Sequence, residues 1–394
     1  MFKRIKFFFL YLKYFITAKK IWQWPRQTDV LIYDAMGQTL LLEYLQPWNP
    51  EVFHVRSEFI NIPVLLFSLF SSGKKSDAYT DCFIKRVNPK LVVTYIDNNP
   101  NFYTISQRHL SVKTMFIQNG TRSYYGDIFQ SLAKLSIKDC SAMTVDYMLT
   151  HGSNIGDEFS RYIKGKVIPI GSLKNNISQI SKPILNDVVS FVSQWIESGF
   201  VLNDEFYSHS TFFKRVDKPI VEFLIKYVAK NNKQLMIIPR TRKGDVNRKM
   251  EEAYFKELIG SDAVFLEPVG AFGSYKAIDI SVITVGVDST LINEAIARGS
   301  KAAIFSTRSI ALGLGSFTYG WPGKSLDNGP FWTNHSDPEN FERIMDQLLE
   351  SNEEQWHDEL KEYSFDKLMA YDPGNGILKS ILTKELGSLP SAKQ

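Results

Sequence analysis

The sequence predicts an α/β protein made of two Rossmann-like parallel-sheet domains that face a central cleft. Three observations predict it. From Pro25 onward, short apolar runs alternate with amphipathic stretches, the pattern of parallel strands joined by crossover helices. The 394 residues suit two domains of about 150 residues or slightly more. A polar segment at 172–188 (SLKNNISQISKPILNDV) separates two such series, as a linker between domains does.

In the first series the expected strands are Val30–Tyr33, Val52–Val55, Leu91–Ile96, Thr114–Gln118, Ala142–Thr150 and Lys166–Gly171, with helices such as Asp77–Val87 and Asp127–Lys138 between them. The second series offers strands Val189–Gln194, Gln234–Ile238, Ala263–Leu266, Ile280–Val285 and Lys301–Phe305. Helices Lys218–Lys230, Asn247–Ile259 and Leu291–Arg298 separate most of them. A charged amphipathic region, Pro338–Tyr363, follows, and a last helix near Gly376–Glu385 is expected to return to the first domain. The expected division is 1–26, a basic aromatic helix; 27–175, the first Rossmann-like domain; 176–188, the linker; 189–370, the second Rossmann-like domain; and 371–394, a C-terminal helix and tail.

Composition narrows the function. Hydrophobic residues are 44% and charged residues 22%, enough for a buried core, which excludes disorder, collagen and a polytopic membrane protein. The 46 basic and 42 acidic residues leave a net charge of +4. No nucleic-acid partner is expected from so small a surplus, because nucleic-acid binding needs a concentrated basic surface. With only Cys82 and Cys140, there is neither a disulfide framework nor a thiolate zinc site. The six histidines are scattered and form no HExxH pair, so no metal is expected.

The N-terminus concentrates the basic charge. Residues 1–26 carry Lys3, Arg4, Lys6, Lys13, Lys19, Lys20 and Arg26 with no acid before Asp29, and aromatic residues fill the gaps. Lys13 interrupts the apolar run, which is too short for the roughly 20 residues of a membrane span. Lys6, Lys13 and Lys20 are seven apart and fall on one helical face, the pattern of a helix lying in a membrane interface. A helix packed on the protein's own surface is the alternative. The expected location is cytoplasmic, attached peripherally to the anionic inner face of the cell membrane.

Open α/β sheets bind ligands at the C-terminal ends of their strands, so the loops there are the candidate site. Val285-Gly286-Val287-Asp288-Ser289-Thr290 runs from a strand into a helix. Asp288, Ser289 and Thr290 are good N-caps; equally, free amides and hydroxyls there form a phosphate cradle. Glu294, one turn on, is placed to grip ribose hydroxyls. Pro239-Arg240-Thr241-Arg242 puts cations past another strand, where Arg240 and Arg242 would neutralise phosphate. Pro268, in Glu267-Pro268-Val269-Gly270, ends the next strand and would meet a nucleotide base. In the first half, strand ends carry Asp34 with Gly37, Glu58, Asp97, and Asn119-Gly120-Thr121-Arg122. Carboxylates gathered in a cleft suit activation of an acceptor hydroxyl, with Glu58 and Asp34 ranked ahead of Asp97; each loop taken singly also reads as a cap or turn.

Together, the two Rossmann-like halves, the Gln118-Asn119-Gly120-Thr121-Arg122 loop, the Pro239-Arg240 loop, the Asp288-Ser289-Thr290 helix start with Glu294-Ala295, and the Gly329-Pro330-Phe331-Trp332 and Tyr371–Asn375 stretches resemble bacterial surface-carbohydrate (O-antigen or capsule) biosynthesis proteins of the GT-B type. The resemblance covers most of residues 29–385. Related GT-B enzymes include CDP-glycerol glycerophosphotransferases and the Kdo and sialic-acid transferases. It implies transfer of a sugar or polyol phosphate from a nucleotide donor held by the C-terminal half; the N-terminal half is then expected to bind a lipid-linked or polysaccharide acceptor, through Gly37, Asn119, Gly120 and Arg122. It implies no bound metal and no cofactor besides a CMP- or UDP-linked sugar as co-substrate. Glycerophosphotransferases carry a catalytic His in a His-Gly loop and another in an Arg-Pro-His-like loop; here Asn119-Gly120 and Pro239-Arg240-Thr241 stand in those places, which favours sugar transfer. A polyol-phosphate transferase, a non-catalytic assembly scaffold and a nucleotide-sugar epimerase are the alternatives.

Overall fold

The structure is a computed structural model that describes residues 15–388, apart from 57, 72–74, 125, 181–184, 198–199, 203–204, 314–317 and 324. Its first half contains β1 (Lys19–Ile21), β2 (Val30–Tyr33), β3 (Glu51–Phe53), β4 (Phe59–Asn61), β5 (Leu91–Thr94), β6 (Lys113–Ile117), β7 (Thr144–Thr150) and β8 (Lys164–Pro169). Six of these form one sheet in the order β3-β2-β5-β6-β7-β8, with every neighbouring pair parallel. β2 and β5 are buried at all four positions, as unbroken apolar strands covered on both faces must be. The chain runs outward from β2 to β3 and then returns to β5 on the other side, so the order reverses between β2 and β5.

The second half repeats the plan with β9 (Leu185–Val192), the β10–β11 pair (Phe200–Leu202 and Glu205–Tyr207), β12 (Gln234–Ile238), β13 (Val264–Phe265), β14 (Ser281–Gly286), β15 (Ala302–Phe305) and β16 (Trp332–Thr333). The sheet order is β13-β12-β9-β14-β15-β16, parallel throughout. Here the order reverses between β9 and β14. Ile220 and Leu224 of the His209–Lys230 helix, Phe255, and Phe341 with Leu348 of the Pro338–Glu350 helix share its core.

Leu378, Ile381, Leu382 and Leu386 of the terminal Gly376–Leu386 helix pack with Leu40, Leu41 and Leu45 on the first sheet. The chain therefore crosses back to the first half, as expected. The crossing is pinned by Asn375, fully buried, whose Nδ2 donates to the Tyr44 hydroxyl at 2.6 Å and to the Leu173 carbonyl at 3.0 Å.

Two expectations need correction. The N-terminal helix was expected through Arg26; residues 1–14 lie outside the described residues, but Lys19–Ile21 is a strand, paired in parallel with Phe59–Asn61. Strand pairing overrides the seven-residue spacing because β4 offers backbone partners; Lys19 N donates to Glu58 O at 2.9 Å. The linker expected at 176–188 is shorter at both ends. Leu173–Ile177 is a buried helical turn, and β9 begins at Leu185 because Leu185 and Val188 have partners in Ser281 and Gln234. The strand β16, with the buried Trp332, was not expected at all.

Candidate functional site

The reversal between β9 and β14 separates two strand ends and leaves room for a ligand. From β9 comes Gln194, and from β14 come Val287, Asp288 and Ser289. Gly286 permits this turn: a Cβ there would lie 2.4 Å from Ile292 Cγ1. Ser289 caps the Thr290–Ala297 helix, its Oγ accepting from Leu291 N at 3.3 Å. Asp288 is locked in place. Its Oδ1 accepts from Gln194 Nε2 at 2.7 Å, its N–H donates to Gln194 Oε1 at 3.3 Å, and its Oδ2 lies 3.1 Å from Arg308 Nη1. Arg308, just past β15, adds a mostly buried guanidinium beside the helix N-terminus, so the wall presents a cation and a positive dipole end together.

The first half supplies the facing wall from the ends of β6 and β7. Gln118 is buried; its Nε2 donates to Gly120 O at 2.8 Å and its Oε1 accepts from His151 N at 2.8 Å. His151 is 2% exposed, and its Nδ1 has no hydrogen-bond partner among the described residues. Burial, assisted by the nearby Arg122 charge, pushes its pKa down to about 3, so the imidazole is neutral at physiological pH. The walls meet where Thr121 N donates to Thr290 Oγ1 at 3.0 Å. Between them lies a cavity of about 310 Å³, also lined by Asp127, Asn154, Tyr319 and Trp321. The Tyr319 hydroxyl is likewise buried without a partner among the described residues, and burial raises its pKa. Two buried polar groups with unspent hydrogen-bonding capacity mark this cavity as built for a polar ligand.

Of the residues singled out in the sequence, Arg122, Asp288 and Ser289 line this cavity, and Thr290 stands at its seam. Arg240 and Arg242 line a second cavity of about 460 Å³ with Trp195, Glu197, Thr241 and Asn247. Arg240 Nη1 donates to Gln194 O at 3.3 Å, so the two cavities flank the same loop after β9. That loop is held by Glu251, fully buried, which accepts from Ser193 Oγ at 2.5 Å and from the amides of Arg240 and Thr241, each at 2.9 Å.

The remaining candidates are not brought to either cavity. Asp34 is buried at positive φ, paired to Arg56 at 2.9 Å and accepting from Met36 N. Glu58 is exposed before β4. Asp97 is fully buried and clamped by Arg122, whose Nε lies 2.7 Å from Oδ2. Burial pulls the Arg122 pKa down, yet Asp97 more than compensates and holds it above its ordinary value; Asn119 Oδ1 joins at 2.5 Å from Arg122 Nη2. Asp34 and Asp97 hold loops together, and none of the three carboxylates lines either cavity. Gly37 starts the Gln38–Leu45 helix at φ 75° against Tyr95, Gly120 serves through its carbonyl, and Pro268 packs on Gly273. Glu294 is buried and does not line either cavity; Tyr275 Oη donates to it at 3.1 Å, and burial raises its pKa.

Sequence reasoning missed His151 and Arg308. Signals existed: His151-Gly152 directly follows an expected strand, and Ser306-Thr307-Arg308 follows another. The lack of His in the Asn119-Gly120 loop therefore does not leave the cleft without an imidazole. Among the described residues no group of three or more His, Cys, Asp or Glu side chains is gathered to hold a metal ion.

Two parallel-sheet halves closing on a polar cavity at their strand ends define a GT-B protein. Residues 115–386 match the family described as O-antigen biosynthesis proteins. The match spans more than half of the chain, and the chain belongs to that family, as a GT-B protein of surface-carbohydrate biosynthesis. Among solved structures, UDP-GlcNAc 2-epimerase from Methanocaldococcus jannaschii, in complex with UDP-GlcNAc and UDP, shares the fold with a TM-score of 0.51 at 11% identity, covering 90% of this chain and 99% of that one. UDP-GlcNAc 2-epimerase from Neisseria meningitidis is similar at 12% identity and a TM-score of 0.49, over 91% and 98% of the two chains. The wall teichoic acid polymerase TagF is similar at 9% identity and a TM-score of 0.49, over 91% and 88%. No curated protein matches by sequence.

Proposed function

We propose that the protein is a glycosyltransferase that moves a sugar from a CMP- or UDP-linked donor to a lipid-linked or polysaccharide acceptor at the inner face of the cell membrane, without a bound metal. The observation that carries this reading is the cavity itself, with Arg308 and the Ser289-capped helix start on one wall and His151 on the other. As the glycosidic bond to the nucleotide breaks, negative charge grows on the departing phosphate. Arg308, the amides at Ser289–Thr290 and, from beyond the β9 loop, Arg240 are placed to receive it, and preorganised donors of this kind stabilise a transition state without reorganising. The acceptor hydroxyl enters from the other half. Asp127, a cavity-lining carboxylate that accepts from Ser123 N at 3.2 Å and from Ile128 N at 2.7 Å and lies 3.9 Å from Arg122 Nη1, takes its proton in place of Glu58, Asp34 or Asp97. His151, too weak a base at a pKa of about 3, orients that hydroxyl by accepting or donating a hydrogen bond.

Calorimetric titration with UDP and CMP tests the donor wall. Arg308→Gln should weaken the bound nucleotide at least about tenfold, the scale of a lost charge-assisted hydrogen bond, and Asp127→Asn should leave that affinity intact while stopping nucleotide release from the activated sugar. Equal affinity in wild type and Arg308→Gln rejects this donor wall. A second reading is favoured by the buried imidazole: transfer of a polyol phosphate from a CDP-linked donor. Incubation with CDP-glycerol beside CMP- and UDP-sugars separates the two by which nucleotide is released. A non-catalytic scaffold would release none.

A further inference from the structure

We infer that the Ile62–Ser68 helix and the two residues after it form, with the segment around β1, a single face that docks on an anionic lipid bilayer. The inference rests on the peripheral attachment proposed above and shifts its weight from a helix over residues 1–26 to a surface built by pairing β1 with β4.

The helix that follows β4 is apolar on every side: no charged residue occurs from Phe59 to Gly73. Ile62, Val64 and Ser68 turn inward, and Asn61 caps the helix by accepting from Val64 N at 3.1 Å. The outward side of a surface helix is normally polar. Here it carries Leu66, Phe67, Leu69 and Phe70, with Phe67 63% and Phe70 88% exposed. Trp22 and Trp24 from the segment after β1 are 73% and 46% exposed. The two groups are one surface: the Trp24 and Phe67 rings meet edge to face at 6.3 Å, and Asn61 Nδ2 donates to Gln23 O at 2.8 Å. A contiguous apolar patch of this kind marks an interaction site.

Charge selects the partner. Arg86 stands over the Trp24 ring at 5.4 Å, Lys19 over Phe59 at 5.7 Å and Lys20 over Phe15 at 5.3 Å. Among the described residues none of these three cations takes part in an ion pair. Arg26 is paired to Glu51, and Glu58, exposed beside Lys19, is the nearby acid. Exposed indole rings, aliphatic and phenyl groups, and basic side chains standing over aromatic rings of the same face are the groups that a bilayer with anionic headgroups takes up. A second copy of this chain would bring the same cations against themselves, which disfavours it.

The test is co-flotation of the full chain with vesicles of phosphatidylcholine containing one third phosphatidylglycerol, beside vesicles of phosphatidylcholine alone. Wild type should float with the anionic vesicles and be released by high salt. Leu66→Ser/Phe67→Ser/Phe70→Ser changes only exposed side chains, so its melting temperature should hold while vesicle affinity falls at least about tenfold; Arg86→Glu should weaken it by about fivefold or more. The inference is overturned if the triple variant binds vesicles like wild type, or if it alters self-association in sedimentation while vesicle binding is unchanged. Nucleotide titration of the wild type and of the triple variant keeps the two readings apart: a wild type that floats but binds no nucleotide sinks the transferase and leaves the docking face standing, and a triple variant that no longer floats but binds nucleotide like wild type supports the docking face independently of the transferase.

Discussion

At the scale of the residue, His151 carries the most specific expectation. Its pKa is about 3 when folded against an ordinary 6.5. Between those values the unfolded chain binds the extra proton and the folded chain does not, so stability is full above 6.5 and falls as the pH drops toward 3. The loss amounts to about 2 kcal/mol between roughly pH 7 and pH 5. His151→Gln should flatten that slope, measured as the difference in urea midpoint at the two pH values; an unchanged slope means the imidazole is solvated in the folded protein. The same substitution should raise KM for the acceptor more than for the donor if the ring orients the acceptor. Residue identity was only half legible in the sequence. Asp97 and Arg122 stand out in the sequence as polar groups at strand ends, but their pairing does not, because a carboxylate and a guanidinium 25 positions apart give no local sign that they satisfy each other. Asp34 and Arg56 repeat the lesson. His151 was passed over for the opposite reason: a lone histidine after an apolar strand looks like packing until the partner of each ring nitrogen is known.

Elements were far more legible than side-chain roles. The buried strands of both sheets announce themselves as apolar runs, and Gln234–Ile238 falls where it was expected to the residue. The terminal helix was also anticipated, and its contribution is measurable. Leu382 is 2% exposed within the core of the first sheet, so Leu382→Ala should cost about 2–5 kcal/mol and lower the unfolding midpoint of the first half, although it lies at the far end of the chain. A shift confined to the second half would mean that the helix is not docked as described. Short elements were illegible. β1 and β4 are three residues each and nearly forty positions apart; neither has enough residues for a pattern of its own, and their pairing is decided by tertiary contact. The basic spacing that suggested a helix through Lys20 is a weak local preference, which hydrogen bonds to β4 outweigh.

The whole molecule depends on how its halves are joined, and that was least legible, since the cleft is lined by whichever strand ends the junction brings together. The sequence ranks Glu58 and Asp34 ahead of Asp97 as the carboxylates of the cleft; the cavity lining instead includes Asp127 and His151, beside Gln118 and Arg122 from a loop the sequence also singled out. Arg298 is central to it. Its side chain and that of Asp279 are fully buried, with Nε 2.8 Å from Oδ1, and its other nitrogens donate to Asn175 Oδ1 at 2.9 Å and to the carbonyls of Ser178 and Gln179, each at 3.2 Å. Asn175 in turn donates to Glu294 O at 3.1 Å, in the helix whose start faces the cavity. One guanidinium thus ties the connecting segment to the second half. Arg298→Met would leave Asp279 buried without its charge partner, and removal of one member of such a pair costs about 3–5 kcal/mol. Calorimetric melting should show that loss, and Arg298→Met with Asp279→Leu should recover much of it, because a buried pair replaced by apolar groups is often neutral or better. If the junction also sets the cleft, nucleotide affinity should fall in the single variant at temperatures where it is still folded and return in the double. A single variant as stable as wild type would mean that Asp279 finds water or another donor, and that the junction does not depend on Arg298.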